Sequence, residues 1–255
     1  MEGAEVSENV VTERPSLRVQ ADPGELASFA ASTLAREIGE AVAARGEAVV
    51  ALPGGSTPKA ALELLSKAPG VDWAKVVLVP GDERFVPVSD PDSNEGMIRR
   101  TLLSGLPGPS PIVVGWDVEE GLGPETILGR FEGRLLGLLP RVEGELRFDL
   151  VLLGMGADGH TASLFPGREY PDQALVLATR HPSGQVRLTL GPAVLRAARR
   201  VRFLVAGDDK AATLAEVVYG DYEPDRLPAQ LIARRSPGCQ IWCDAAAASL
   251  IPNPI

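Results

Sequence analysis

The chain has 255 residues, 45% of them hydrophobic and 23% charged, with a formal charge of −9 and only two histidines. That balance suits a soluble globular protein with room for one large core, and it lacks the clustered Lys and Arg of a nucleic-acid-binding surface. No run approaches the roughly 20 apolar residues of a membrane span, and the acidic start MEGAEVSENVVTERPSLRV is the opposite of a secretory signal peptide, so a cytoplasmic protein that engages neither membrane nor nucleic acid is expected.

Residues 1–14 are polar and read as a disordered leader. A strand at Ser16–Ala21 leads to a long helix with Asp22 as N-cap, Pro23 in the first turn and Glu25 placed for a capping box. Leu26, Phe29, Ala30, Thr33, Leu34, Glu37 and Ile38 give that helix an apolar stripe, and Gly46 ends it. Glu47–Pro53 reads as a buried strand, and Thr57–Pro58 opens a second helix behind two glycines. Strands follow at Val76–Pro80, Ile112–Val114, Phe148–Gly154 and Arg202–Ala206, with helices at Asn94–Leu103, Glu125–Leu139, Pro192–Ala198, Asp209–Tyr219 and Pro228–Arg234. Ala174–Thr179 and Gln185–Leu190 are close enough to pair as a hairpin, and Ile241–Cys243 and Ala245–Leu250 close the chain as strand and helix.

Strands alternating with helices predict a three-layer α/β fold: a mainly parallel sheet with helices on both faces and a small antiparallel hairpin. No linker or repeat interrupts it, so residues 15–255 are expected to form a single domain. Cys239 and Cys243 fit neither a CxxC redox motif nor half of a zinc site, and four residues apart on a strand they are too distant for a disulfide. Trp73, Trp116 and Trp242 read as packing residues, and the Arg196, Arg199, Arg200 and Arg202 cluster as a solvated helix end.

Four strand ends carry chemistry. In LPGGSTPKA, Gly54 and Gly55 permit a sharp turn into a helix whose first N–H groups, with the Ser56 and Thr57 hydroxyls, can hold an anion. The Walker A spacing is absent, and a plain turn capped by Thr57 is the competing reading. In VPGDERFVPVSDPDSN, Asp82, Glu83 and Arg84 follow a strand and open a long acidic loop. Arg84 has the fork for a phosphate or carboxylate and Asp82 can orient a water or a sugar hydroxyl, although a surface salt-bridge cluster would look the same. The loop's acids do not match an EF-hand. In FDLVLLGMGADGHTASLFPG an apolar strand runs into a turn bearing Asp158 and His160, which can move protons near neutral pH; the alternative is a helix N-terminus that Asp158 merely caps. The fourth site is divided between Arg187, in RLTL, and Lys210, in GDDKA, where Asp208 and Asp209 or a bound phosphate would balance the lysine. His181 falls in a loop.

Taken in order, LPGGSTPKA, GDERFVPVSDPDSN, LLGMGADGHTASLFPG, RLTL and GDDKA closely resemble the family of 6-phosphogluconolactonases and glucosamine-6-phosphate deaminases, DGHTASLFP being its most specific string. The resemblance implies a parallel-sheet α/β enzyme of the oxidative pentose phosphate pathway that hydrolyses 6-phosphoglucono-δ-lactone, with neither metal nor organic cofactor. It casts His160 as general base, with Asp158 and Asp82 beside it. Gly54, Gly55, Ser56, Thr57, Arg84, Arg187 and Lys210 are the candidates for binding the substrate and its phosphate. The oxyanion donors are either backbone N–H groups of a glycine turn or Arg84. Deaminases of the family place a glutamate five residues after the histidine, and here that position is Phe165. A non-catalytic sugar-phosphate sensor is the other alternative, but residues 1–46 offer no helix-turn-helix pair. The oligomeric state expected is a monomer or weak homodimer.

Overall fold

In a computed structural model, residues 13–252 are described. The expected leader lies outside the described residues as far as residue 12; Glu13 and Arg14 already touch the body, at Arg234 O and the Tyr219 ring. In chain order the elements begin β1 (Ser16–Gln20), α1 (Pro23–Arg45), β2 (Ala48–Leu52), α2 (Ser56–Leu65), β3 (Val76–Pro80), β4 (Asp82–Arg84), α3 (Asn94–Thr101) and β5 (Ile112–Val113). They continue as α4 (Pro124–Leu138), β6 (Arg141–Val142), β7 (Glu145–Leu146), β8 (Leu150–Leu153), β9 (Val176–Arg180), β10 (Val186–Leu190), α5 (Pro192–Arg196), β11 (Val201–Val205), α6 (Ala211–Tyr219), α7 (Ala229–Ala233) and β12 (Gln240–Asp244).

The main sheet runs β1-β12-β11-β8-β2-β3-β5 and every pairing in it is parallel. Its central strands are buried along their whole length, and apolar at every position but Arg202, because both faces are covered. Period-two alternation divides them cleanly. Val49, Ala51, Val151, Leu153, Phe203 and Val205 point into a core shared with α4 to α7. Val50, Leu52, Leu78, Leu204 and Trp242 point into a second core under α1, α2 and α3. Chain connections leave β2 toward β3 on one side, whereas β8 leads to β11 and β12 on the other. The point where direction reverses, between β2 and β8, is where open α/β sheets form a crevice at their carboxyl ends.

Local signals explain most boundaries. The Asp22 side chain accepts from Glu25 N at 2.8 Å, and Glu25 reaches back to Ala21 N rather than to the cap residue itself. Gly46 ends α1 at φ 84, the left-handed conformation that glycine adopts without strain.

Three expectations need correcting. Ala245–Leu250 forms turns, not a helix: the Asp244 carboxylate takes the Ala247 and Gly207 N–H groups and ties the segment to the turn after β11. Asp82–Arg84 is not loop but a strand, and it adds to the expected hairpin to make an antiparallel sheet β4-β10-β9. Arg202 is not solvated; it lies 6% exposed against Glu37, with Arg202 Nη2 2.9 Å from Glu37 Oε1 and its guanidinium over the Trp242 ring. Its neighbours are tied down too, Arg196 by Asp172, Arg199 by Asp149 and Arg200 by Glu40. The three tryptophans are buried, as are both cysteines, which are unpaired. Burial pushes the Cys239 thiol up to about 12, so it is inert as a nucleophile.

Candidate active site

The carboxyl ends of β2, β3, β8 and β11 surround a cleft of about 440 Å³. Its wall includes Gly54, Gly55, Ser56, Thr57, Asp82, Arg84, Asn94, His160 and Lys210. Three of the four motifs, and the lysine of the fourth, therefore meet in one place.

After β2 the chain turns at Gly54-Gly55 and α2 begins one residue earlier than expected. Gly55 is its N-cap at φ 100, and no side chain among the described residues caps it. Thr57 is thus not the cap. The positive end of a ten-residue helix opens into the cleft with the Ser56 and Thr57 hydroxyls beside it, a favourable site for an anion. Lys210, from the turn after β11, completes this wall, with its ammonium paired to the Asp209 carboxylate.

The turn after β8 is not a helix N-terminus. Asp158 accepts from the His160 backbone N–H at 3.2 Å, and its Oδ1 lies 2.5 Å from His160 Nδ1. Burial raises the Asp158 carboxyl, but the charge of a protonated His160, with its backbone and ring N–H groups, outweighs this and leaves it below the ordinary aspartate value. A carboxyl lowered on folding adds stability above its unfolded pKa, and that contribution is lost as pH falls through the lower folded value. The turn is pinned by Gly156 N to His160 O at 2.9 Å and by Thr161 Oγ1 to Gly154 O at 2.8 Å. Ala162, on the cleft wall, holds φ 47, a strained value for a residue with a side chain. Phe165 is 3% exposed and packs on the imidazole with ring centroids 5.1 Å apart, while His181 meets it edge-to-face at 5.3 Å. The Tyr170 hydroxyl fixes the Phe165 backbone, accepting from its N–H at 2.6 Å and donating to its carbonyl at 3.1 Å.

Strand β4 gives three side chains three fates. Asp82 and Arg84 line the cleft. Glu83 is 2% exposed and belongs to no surface cluster. Its carboxylate accepts from Arg84 N, Asn94 N, Glu95 N and Ser93 Oγ at 2.7 to 2.9 Å, so it caps the start of α3 and welds that helix to the strand. Burial raises its pKa, with the four hydrogen bonds opposing. Glu83→Gln places an NH2 group among these donors, and a loss of about 3 kcal/mol in unfolding free energy is expected from denaturant titration. Asp82 Oδ2 accepts from Ser163 Oγ at 2.7 Å, which joins β4 to the His160 turn.

Asp158 reaches the cleft only through His160, and Arg187 lies outside the cleft wall. It stands directly opposite Arg84 across the β10–β4 pair, and its Nη1 is buried with no partner among the described residues. Burial and the neighbouring Arg84 charge hold it below the usual arginine value. The sequence reading missed Asn94, Ser163 and Gly156. In the sequence Asn94 reads as a helix start, and nothing local marks a residue whose importance is tertiary. Among the described residues no group of three or more His, Cys, Asp or Glu side chains is placed to hold a metal ion, and no helix is long and apolar enough to cross a membrane.

Comparison with known proteins agrees with this geometry. The chain is 35% identical over 207 residues to a 6-phosphogluconolactonase of Haemophilus influenzae, covering 79% of this chain and 87% of the relative. It is 32% identical over 258 residues to one of Streptomyces coelicolor, covering 96% and 98%. The solved 6-phosphogluconolactonase of Trypanosoma brucei superposes with a TM-score of 0.80 at 27% identity, over 92% of this chain and 98% of that one. The family model for glucosamine-6-phosphate isomerases/6-phosphogluconolactonase matches residues 21–242, and the chain belongs to that family.

Proposed function

We propose that this chain is a 6-phosphogluconolactonase: it hydrolyses 6-phosphoglucono-δ-lactone to 6-phosphogluconate in the oxidative pentose phosphate pathway. The observation that carries this reading is His160, backed by Asp158, opening into the same cleft as the uncapped start of α2 and Lys210. A reactive carbonyl and a remote phosphate need such a pairing of base and anion site.

Asp158 accepts a hydrogen bond from Nδ1–H, so Nε2 keeps its lone pair for a water. That water adds to the lactone carbonyl carbon while Nε2 takes its proton. The resulting tetrahedral oxyanion is stabilised by backbone N–H groups of a glycine turn or by Arg84. Collapse re-forms the carbonyl and breaks its bond to the ring oxygen, which receives the proton held on Nε2 and leaves as a hydroxyl. The new acid then ionises. Every proton is accounted for by water and this chain's own side chains. Gly54, Gly55, Ser56, Thr57 and Lys210 hold the phosphate, with Arg84 alongside and Arg187 adding charge behind it. Anchoring a group remote from the carbonyl fixes the reacting carbon against the base. The reading takes residues 15–255 as one catalytic domain, cytoplasmic, acting as a monomer or weak homodimer.

Lys210→Ala removes a direct phosphate partner but nothing at the carbonyl. KM should rise about tenfold or more, about 1.4 kcal/mol of binding per tenfold, with kcat within a factor of about three, as read from initial rates. An unchanged KM would take Lys210 out of the phosphate site.

The family's other chemistry is disfavoured by Phe165. It fills the place beside His160 with a buried ring that cannot relay a proton. Supplying the protein separately with 6-phosphogluconolactone and glucosamine 6-phosphate tests the choice. Acid release from the first without ammonia from the second is expected, and ammonia release from the second would overturn it.

A further inference from the structure

Asp82 and Arg84 are two residues apart on β4, so both side chains leave the same face of the strand. Opposite charges at that spacing, one on a long flexible arm, are disposed to close on each other and neutralise the cleft wall. No ion pair joins them among the described residues; Asn94 lies between. This amide is 1% exposed. Its Oδ1 accepts from Arg84 Nη1, and its Nδ2 donates to Asp82 Oδ1 at 3.1 Å and to Asp82 O at 2.9 Å. A carboxamide is neutral yet has an acceptor end for a cation and a donor end for an anion. The fit is close on the opposite side as well, because a Cβ at Gly54 would collide with the Asn94 amide. Asn94 also lines an adjoining cleft of about 460 Å³ that shares Gly55, Ser56 and Arg84 with the first.

We infer that Asn94 is a positioning residue: it holds Asp82 and Arg84 apart so that both remain charged and turned toward the substrate. This deepens the lactonase reading and, in its kinetic form, rests on it. Asn94→Leu keeps the four-atom branched skeleton, with bulkier methyl groups, and removes both ends of the amide, so Arg84 falls onto Asp82. A loss in kcat/KM on the order of 10- to 100-fold is expected, the range spanned by contacting residues that act as a unit. In an Arg84→Ala background no guanidinium remains to collapse, and the same replacement should cost less than about threefold.

The test is this double-mutant cycle, run on lactone hydrolysis and, in parallel, on 6-phosphogluconate binding by titration calorimetry, with melting temperatures for each protein. Strong non-additivity in either readout is the expected result. Losses that simply add in both would reduce Asn94 to a packing residue and overturn the inference. Should Asn94→Leu fail to fold, Gly54→Ala displaces the amide while leaving it in the chain, and the same cycle is run with it. A wild type inactive on the lactone would sink the lactonase reading instead, and the calorimetric cycle would still decide the role of Asn94.

Discussion

Replacing His160 with asparagine should abolish most turnover while leaving substrate binding nearly intact. Asparagine is polar and fits beside Asp158, but it has no lone pair basic enough to take a proton from water. General-base catalysis by a positioned side chain contributes roughly 10²- to 10⁴-fold, so kcat should fall by about that factor. The turn at Gly54–Thr57 and Lys210, the proposed phosphate site, lies on other strand ends and is untouched. KM should therefore stay within about a factor of three, the signature of a group that acts in the transition state. Steady-state kinetics on the purified variant read both numbers. A variant that turns over normally removes His160 from the chemistry.

The second large effect is expected at a residue with no side chain. Gly156 packs directly under the dyad, and a Cβ there would collide with the His160 ring at Nδ1 and Cε1 and crowd Asp158 Oδ1. Its backbone is not among the left-handed glycines, so alanine is sterically acceptable to the chain itself. Gly156→Ala should therefore separate catalysis from folding. The dyad must rotate away from its place, and displacement of a reacting group by about 1 Å costs on the order of 10²-fold in kcat. The melting temperature should hold, since alanine at a compatible site stiffens the unfolded chain and offsets part of the local strain. Kinetics and a thermal melt on one preparation check both. Full activity would mean that the 2.5 Å Asp158–His160 contact is not needed for turnover.

Much of this architecture was legible in the residues. The strands β2, β3 and β8 are short apolar runs, β11 is one broken only by Arg202, and each delivers a motif to one sheet edge. The first helix announces itself through its cap, Asp22, and its stop, Gly46. What escaped was tertiary in origin. The strand Asp82–Arg84 contains only charged residues and forms because β10 offers it an edge; β-structure there is set by its partner, not by propensity. Glu83 looks like a surface acid until the start of α3 is brought over it, and its burial makes sense only with four donors in place. Arg202 reads as solvated because its neighbours are arginines, yet strand alternation turns it toward Glu37. Asn94 is a similar case: the sequence places it at a helix start, and only the approach of β4 and the Gly54 turn makes it a bridge. Among the candidate site residues, motif order brought all but Arg187 and Asp158 to a common cleft wall, and Asp158 meets it through His160.

The most direct measurement is the hydrolysis of freshly generated 6-phosphogluconolactone, corrected for its spontaneous opening, with wild type and His160→Asn side by side. A wild-type rate far above the uncatalysed one that largely disappears in the variant is the expected result. A wild type that merely matches the spontaneous rate would contradict the proposed activity and leave a sugar-phosphate-binding protein as the reading to pursue.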